Sequence, residues 1–111
     1  MDRIGFLNTK EQKIVRRFIK ELRGKLRDSI IAVKIFGSKV RGDFNKDSDI
    51  DIFILIKEKG LRDQVSDIAA DFSYEYDISI SPVTYSLYEY QENKRIGSLF
   101  FEQVEKEGIA L

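Results

Sequence analysis

Apolar residues recur in the first quarter of the chain at the spacing of an amphipathic helix. Between residues 8 and 27 they lie three and four positions apart, at Ile14, Val15, Phe18, Ile19, Leu22 and Leu26. Asn8 is suited to the N-cap, and Glu11 stands three residues later, where a capping-box partner is expected. The pattern therefore predicts a helix over residues 8–27 that buries one face.

Three later runs have the length and composition of β-strands. They are rich in β-branched residues or alternate between apolar and polar side chains, and they cover residues 29–36, 49–57 and 76–83. Helices are predicted at residues 39–43, 60–72 and 97–107, and residues 85–95 are irregular or helical. Gly108 is suited to end the last helix. The sequence therefore indicates one α+β domain over residues 1–111, with a small mixed sheet of about three strands.

The second predicted strand places two carboxylates on one face. Asp49 and Asp51 point the same way, while the opposite face carries Ile50, Ile52, Ile54 and Ile56 and needs to be packed under helices. In the third predicted strand, Asp77 shares a face with Ser79 and Ser81. The two polar faces predict a sheet with helices packed on one face only. Its open face would carry Asp49, Asp51 and Asp77.

The first predicted strand ends at Gly37-Ser38, a pair suited to binding an anion. Glycine lets the backbone approach a ligand closely. If Ser38 opens a helical turn, its hydroxyl and the free N–H groups of that turn can bind phosphate. Arg41 is a further candidate for phosphate, although taken alone it is better explained as a surface arginine. Three carboxylates beside these donors would complete a metal–triphosphate site.

Composition narrows the chemistry. Lys plus Arg and Asp plus Glu each number 19, so the chain lacks the basic excess of a general nucleic-acid binder. Cysteine and histidine are absent, which excludes disulfides, thiolate nucleophiles and an imidazole base. Any metal needs oxygen ligands, which favours Mg²⁺ or Mn²⁺. The sequence contains no signal-peptide core and no membrane-spanning run, so we expect a cytoplasmic protein.

A family resemblance appears at the central motif. Gly37-Ser38, ten intervening residues and Asp49-Ile50-Asp51 resemble the signature of the DNA polymerase β-type nucleotidyltransferases. The small prokaryotic members of that superfamily also often have a basic residue and a glycine at the places of Arg41-Gly42, and their final helix has an ending similar to Glu107-Gly108. The similarity extends over nearly the whole chain. It implies a minimal nucleotidyltransferase with the polymerase β-type core and without polymerase fingers or thumb.

The resemblance also implies an activity and partners. Such an enzyme uses Mg²⁺ (or Mn²⁺) to transfer a nucleoside monophosphate from an NTP, with ATP as the first candidate, to an acceptor hydroxyl. Asp49 and Asp51 would bind the metals, and Asp77 would complete the second metal site and help to deprotonate the acceptor. The residues expected to hold the triphosphate are Gly37, Ser38 and Arg41. Small members often pair with a helical HEPN-type protein as a toxin–antitoxin system, in which the transferase is the antitoxin.

Four alternatives stay open at this point. The domain can be a catalytically silent module that acts by binding its partner. It can be a small-molecule transferase, whose acceptor site would then come from a homodimer or a partner. The two aspartates can be a solvated strand edge. A calcium loop would use Asp43, Asn45 and Asp47, but Ser48 and Ile54 stand where that loop needs glycine and glutamate.

Overall fold

The computed structural model describes residues 4–42 and 49–111. Its helices are α1 (Thr9–Leu26), α2 (Ser38–Arg41), α3 (Arg62–Tyr76), α4 (Leu87–Ile96) and α5 (Leu99–Glu107). Its strands are β1 (Ile30–Phe36), β2 (Ile50–Ile56), β3 (Ile80–Ser86) and β4 (Ile109–Ala110). Short 3₁₀ turns at Arg27–Ser29 and Lys59–Leu61 precede β1 and α3. Residues 43–48, which include the acidic residues of the calcium-loop alternative, lie outside the described part.

The strands form one mixed sheet in the order β3-β2-β1-β4. β1 runs antiparallel to both β2 and β4, whereas β2 and β3 are parallel and are connected through α3. The predicted α+β class with a small mixed sheet is therefore confirmed. The described residues form four strands rather than about three, because the two residues of β4 are too short to give a sequence pattern.

Helices cover both faces of this sheet. On the first face, α1 and α3 enclose a core that includes the isoleucines of β2. On the second face, α4 and α5 contribute Tyr90, Phe100 and Val104 to a smaller cluster around Phe53 and Leu55. The prediction of helices on one face only was therefore wrong. Its error was to weigh Asp49 and Asp51 above the two large apolar residues that follow on the same face of β2.

The amphipathic N-terminal helix is confirmed as α1. Asn8 caps it, since the Asn8 side chain accepts the Glu11 N–H at 2.8 Å and the Glu11 carboxylate accepts the Asn8 N–H at 3.0 Å. Its buried residues include Ile14, Phe18 and Leu22 from the predicted apolar stripe. The capping box and the stripe together fix where the helix begins and which face it buries.

The third strand begins later than predicted. α3 continues to Tyr76, because Phe72 and Tyr76 extend its four-residue spacing and pack against the core and against each other. Asp77 then ends the helix in a left-handed conformation, with φ 53°, and β3 starts at Ile80. The prediction that Asp77 lies in a strand, on the same face as Ser79 and Ser81, was therefore wrong.

Gly108 ends α5 as predicted, but not in the left-handed conformation that is common at helix ends. Its backbone is extended, with φ −66°, rather than left-handed. A Cβ at this position would overlap the Val104 carbonyl oxygen and approach Lys34 Cδ to 3.2 Å, so glycine is needed for space. The chain turns here directly from α5 into β4, where Ile109 pairs with Ile35 of β1.

Across the described residues, no helix has the length and apolar character needed to cross a membrane.

Candidate nucleotide and metal site

Gly37 brings the end of β1 against the carboxylate of Asp51. Its φ of 89° lies in the region that favours glycine. A Cβ built on Gly37 would overlap Asp51 Oδ2, so a larger residue would displace the Asp51 carboxylate or the backbone of the turn. Because Phe36 pairs with Asp51 across β1 and β2, this contact follows from the antiparallel register. The glycine of the motif therefore permits both the turn and the close approach.

Ser38 opens the short helix α2 as predicted. The Gly37 carbonyl accepts the N–H groups of Val40 and Arg41, both at 3.1 Å, which closes the turn. Gly42 ends it in a left-handed conformation, with φ 80°. The short helix predicted at residues 39–43 thus begins one residue earlier and ends two residues earlier, at Ser38–Arg41. The turn holds Ser38, half-buried, at the same end of the sheet as Asp51.

Asp49 and Asp51 lie close enough to repel each other. Burial raises the pKa of the Asp51 carboxyl, and the Asp49 carboxylate raises it further. Arg41 lowers the pKa of Asp51, and Glu107 raises it. Asp49 is exposed and Asp51 is half-buried, so a ligand can reach both. A pair of carboxylates that repel one another is the arrangement that a bound divalent cation would stabilise.

The third carboxylate of the predicted set is not beside this pair. Within residues 4–42 and 49–111, no three acidic, histidine or cysteine side chains are grouped as a metal site would require. Asp77 is an exposed helix cap three residues before β3, and the β3 residue paired with Asp51 is Ser81. Among the described residues, Asp49 and Asp51 are therefore the carboxylates that could bind a cation here.

Glu107 enters the site from the end of α5. Its Oε1 atom accepts the Gly37 N–H at 3.1 Å, an Arg41 guanidinium N–H at 2.9 Å and the Gln103 amide at 3.1 Å. Arg41 is thus connected to the Gly37 turn by a carboxylate that also contributes to the potential at Asp51. The sequence placed Glu107 only in a helix ending, without a role in the site.

Lys39 anchors the turn from beneath. Its side chain is 1% exposed, and its Nζ lies 2.9 Å from Glu11 Oε2. Glu11 therefore caps α1 through one oxygen and pairs with α2 through the other. A buried lysine needs such a partner because an unpaired charge is costly to bury. The sequence assigned Glu11 to the cap and gave no signal for its contact with Lys39, which lies 28 residues away.

Comparison with known proteins decides the family. The model of a family described as "Nucleotidyltransferase domain" matches residues 15–111 of the chain. The chain belongs to this nucleotidyltransferase family. A protein of Methanocaldococcus jannaschii named "Putative protein adenylyltransferase" is 35% identical to it over 100 residues, covering 87% of this chain and 94% of that protein. The predicted resemblance to polymerase β-like nucleotidyltransferases is therefore confirmed, and with it the class of enzyme.

Solved structures support the fold of this nucleotidyltransferase. One described as "Structure of putative minimal nucleotidyltransferase" matches with a TM-score of 0.63 and 19% identity, covering 96% of this chain and 99% of that one. A toxin–antitoxin structure with AMP-PNP matches with a TM-score of 0.56 and 20% identity, covering 85% and 69% of the two chains. At these identities, the likeness is one of fold.

Proposed function

We propose that this nucleotidyltransferase transfers the nucleoside monophosphate of an NTP, with ATP as the first candidate, to an acceptor hydroxyl. A bond forms between the acceptor oxygen and the α-phosphorus. The bridging P–O bond to the β-phosphate breaks, pyrophosphate leaves, and the acceptor proton passes to solvent. The observation that carries this proposal is the meeting of the Gly37-Ser38 turn with the Asp49–Asp51 pair at one end of the sheet.

Each part of the site has its own role in the proposal. Ser38 and Arg41 bind the triphosphate, and Gly37, which has no side chain, lets a ligand approach the backbone closely. Asp49 and Asp51 hold Mg²⁺, or Mn²⁺ in its place, since carboxylate oxygens suit these hard cations. A divalent ion held there would neutralise phosphate charge and orient the leaving group. The pKa of Asp51, which is raised by burial and by repulsion from Asp49, supports this assignment.

The acceptor that we propose is a hydroxyl on another protein. The name of the Methanocaldococcus relative, protein adenylyltransferase, supports this class of acceptor. The toxin–antitoxin assembly among the structures of similar fold supports a toxin as the partner and an antitoxin role for this chain. The family resemblance supports a helical HEPN-type protein as that partner. Asp49 is exposed, so a partner can reach this carboxylate.

The test uses ATP labelled at the α-phosphate, Mg²⁺ and a HEPN-type protein encoded beside this chain. We expect label on the partner and release of pyrophosphate. ATP labelled at the γ-phosphate should leave no label on protein, which distinguishes nucleotidyl from phosphoryl transfer. Asp49→Asn/Asp51→Asn should abolish both signals, whereas Glu58→Gln, an exposed change beyond the opposite end of β2, should not.

A silent binding module is the second candidate. It is favoured by one observation, which is that the described residues bring two carboxylates together where three were predicted. This candidate predicts no transfer of label and no pyrophosphate. It also predicts partner binding that is unchanged in Asp49→Asn/Asp51→Asn, measured by calorimetry on the same preparations. That combination of results would rule out the enzyme proposed above.

A further inference from the structure

Glu107 occupies a place where an acidic residue is unfavourable by itself. It is the last residue of α5, and the carbonyl end of a helix carries partial negative charge. It also adds negative charge near Asp51, in a site that is expected to receive a triphosphate. Both effects oppose a carboxylate here, so the reason for this side chain must lie in the donors that it contacts.

Those donors converge on one atom. Glu107 Oε1 accepts hydrogen bonds from the Gly37 N–H, Arg41 and Gln103 at 2.9–3.1 Å. The Gly37 contact fixes the peptide at the start of the Ser38 turn. The Arg41 contact uses one nitrogen of a guanidinium that has five N–H donors in a rigid fork. Because the fork is planar and rigid, a contact at one of its nitrogens restricts the positions that the rest of the guanidinium can take.

The fold explains how Glu107 reaches this position. Ile109 pairs with Ile35 in the antiparallel register of β4 and β1, and two residues further along that register Glu107 lies opposite Gly37. Gly108 allows the turn between α5 and β4, since a Cβ there would overlap the Val104 carbonyl. Glu107 and Gly108 therefore act together: Gly108 allows the chain to turn from α5 into β4, and Glu107 contacts the Gly37-Ser38 turn.

We propose that Glu107 is a positioning residue for nucleotide binding, which fixes the Gly37 peptide at the start of the Ser38 turn and holds the Arg41 guanidinium in the orientation that meets the triphosphate. This inference rests on the proposed function, and it adds a residue that acts through two others. Because the Gly37 N–H is donated to Glu107, Ser38 and Arg41 are the groups of the turn that contact phosphate. The alternative is that the carboxylate competes with phosphate for the same donors.

The test measures the Kd of MgATP by calorimetry for Glu107→Ala and Glu107→Gln. Alanine removes the acceptor, and we expect about tenfold weaker binding, the order of one hydrogen bond to a charged group. Glutamine keeps an acceptor oxygen, so its loss should be clearly smaller than that of alanine. Glu102→Ala, an exposed change on the same helix, should bind as the wild type does. Thermal unfolding of each variant checks that it is folded.

A double-mutant cycle with Arg41→Met separates positioning from a general structural effect. If Glu107 acts through Arg41, most of the loss caused by Glu107→Ala should disappear in the Arg41→Met background. A loss that stays equal in both backgrounds would overturn the inference. So would alanine and glutamine variants that both bind MgATP as tightly as the wild type or more tightly. The latter result would identify Glu107 as a competitor of phosphate.

Two further results complete the test. If Glu107→Ala does not fold, Glu107→Ser replaces it, because its hydroxyl is too short to reach both donors and the same loss is expected. If the wild type itself binds no MgATP, the proposed function fails together with the inference. Normal wild-type binding with an unaffected Glu107→Ala overturns only the role of Glu107.

Discussion

The two faces of β2 differ in what they contribute to the protein. The first face carries Ile50, Ile52, Ile54 and Ile56, which are all fully buried under α1 and α3. The second face is divided along its length: Phe53 and Leu55 pack under α4 and α5, while Asp51 stands at the end beside Gly37. One strand thus stabilises the fold on one side and carries the candidate chemistry on the other.

The difference shows where this small domain can accommodate unfavourable charge. Phe53 packs against Tyr85, Tyr90 and Phe100 with ring centroids 5.6–6.2 Å apart, so the second face has its own aromatic core. That core ends before Asp51, whose pKa is raised mainly by burial and by Asp49. The repelling carboxylates are therefore tolerated because two separate cores stabilise the sheet around them.

The largest expected effect comes from the polar end of the second face. Asp51→Asn should lower nucleotidyl transfer by about a thousandfold, since it removes a charged ligand at the reacting phosphates. The same change should leave the free energy of unfolding within about 0.5 kcal/mol of the wild type or raise it, because it removes a repelled charge. Transfer assays and urea unfolding of the same sample measure the two. A strongly destabilised Asp51→Asn would contradict the conclusion that this end of β2 carries chemistry and does not stabilise the fold.

The next effect comes from the first face. Ile54→Ala should lower the free energy of unfolding by about 2–5 kcal/mol, because it leaves a cavity in a fully buried core. Under conditions where the variant stays folded, its MgATP affinity should be close to that of the wild type. Ile31→Ala provides the control, since Ile31 is 39% exposed and should cost much less. Equal costs at the two positions would show that the first face is not the dominant core.

The smallest effect concerns the connection between α4 and α5 on the second face. Tyr90 donates a hydrogen bond to Glu105, which also pairs with Lys34 at 3.4 Å. Tyr90→Phe should lower the free energy of unfolding by about 0.5–1.5 kcal/mol at neutral pH, the usual net value of one hydrogen bond. Urea unfolding at pH 7 measures this, and an unchanged midpoint would mean that the bond adds nothing.

The same pair gives a pH dependence of known sign. Burial and the Glu105 contact raise the pKa of Tyr90 from 10.0 to about 12, so the native state retains a proton that the unfolded chain has lost. The tyrosine's contribution should be complete below about pH 10 and should disappear as the pH rises towards 12. The Tyr90 hydrogen bond lowers the pKa of Glu105, so the glutamate's contribution should disappear in acid. Tyr90→Phe should flatten the alkaline part of the stability curve.

Local pattern was enough for much of the fold. The capping box at Asn8 and the apolar stripe of α1 are encoded within a few residues, so the structure matches their prediction. The boundary between α3 and β3 was misjudged because Tyr76 suits a strand in isolation, whereas here it continues the helix that was predicted to end at Phe72 and packs against Phe72. Tertiary packing decided that boundary, and it moved Asp77 from a strand to a helix cap.

The sequence by itself determined the motif and its local geometry. Gly37-Ser38 and Asp49-Ile50-Asp51 carry the resemblance to the family, and strand alternation alone separates the two aspartates from the isoleucines. Only the tertiary structure decided what stands around them. Glu107 reaches Gly37 from 70 residues away, and Lys39 meets Glu11 beneath the turn, because the register of β4 on β1 and the packing of α1 bring distant segments together. Local spacing carries no information about such contacts, since they depend on the path of the whole chain.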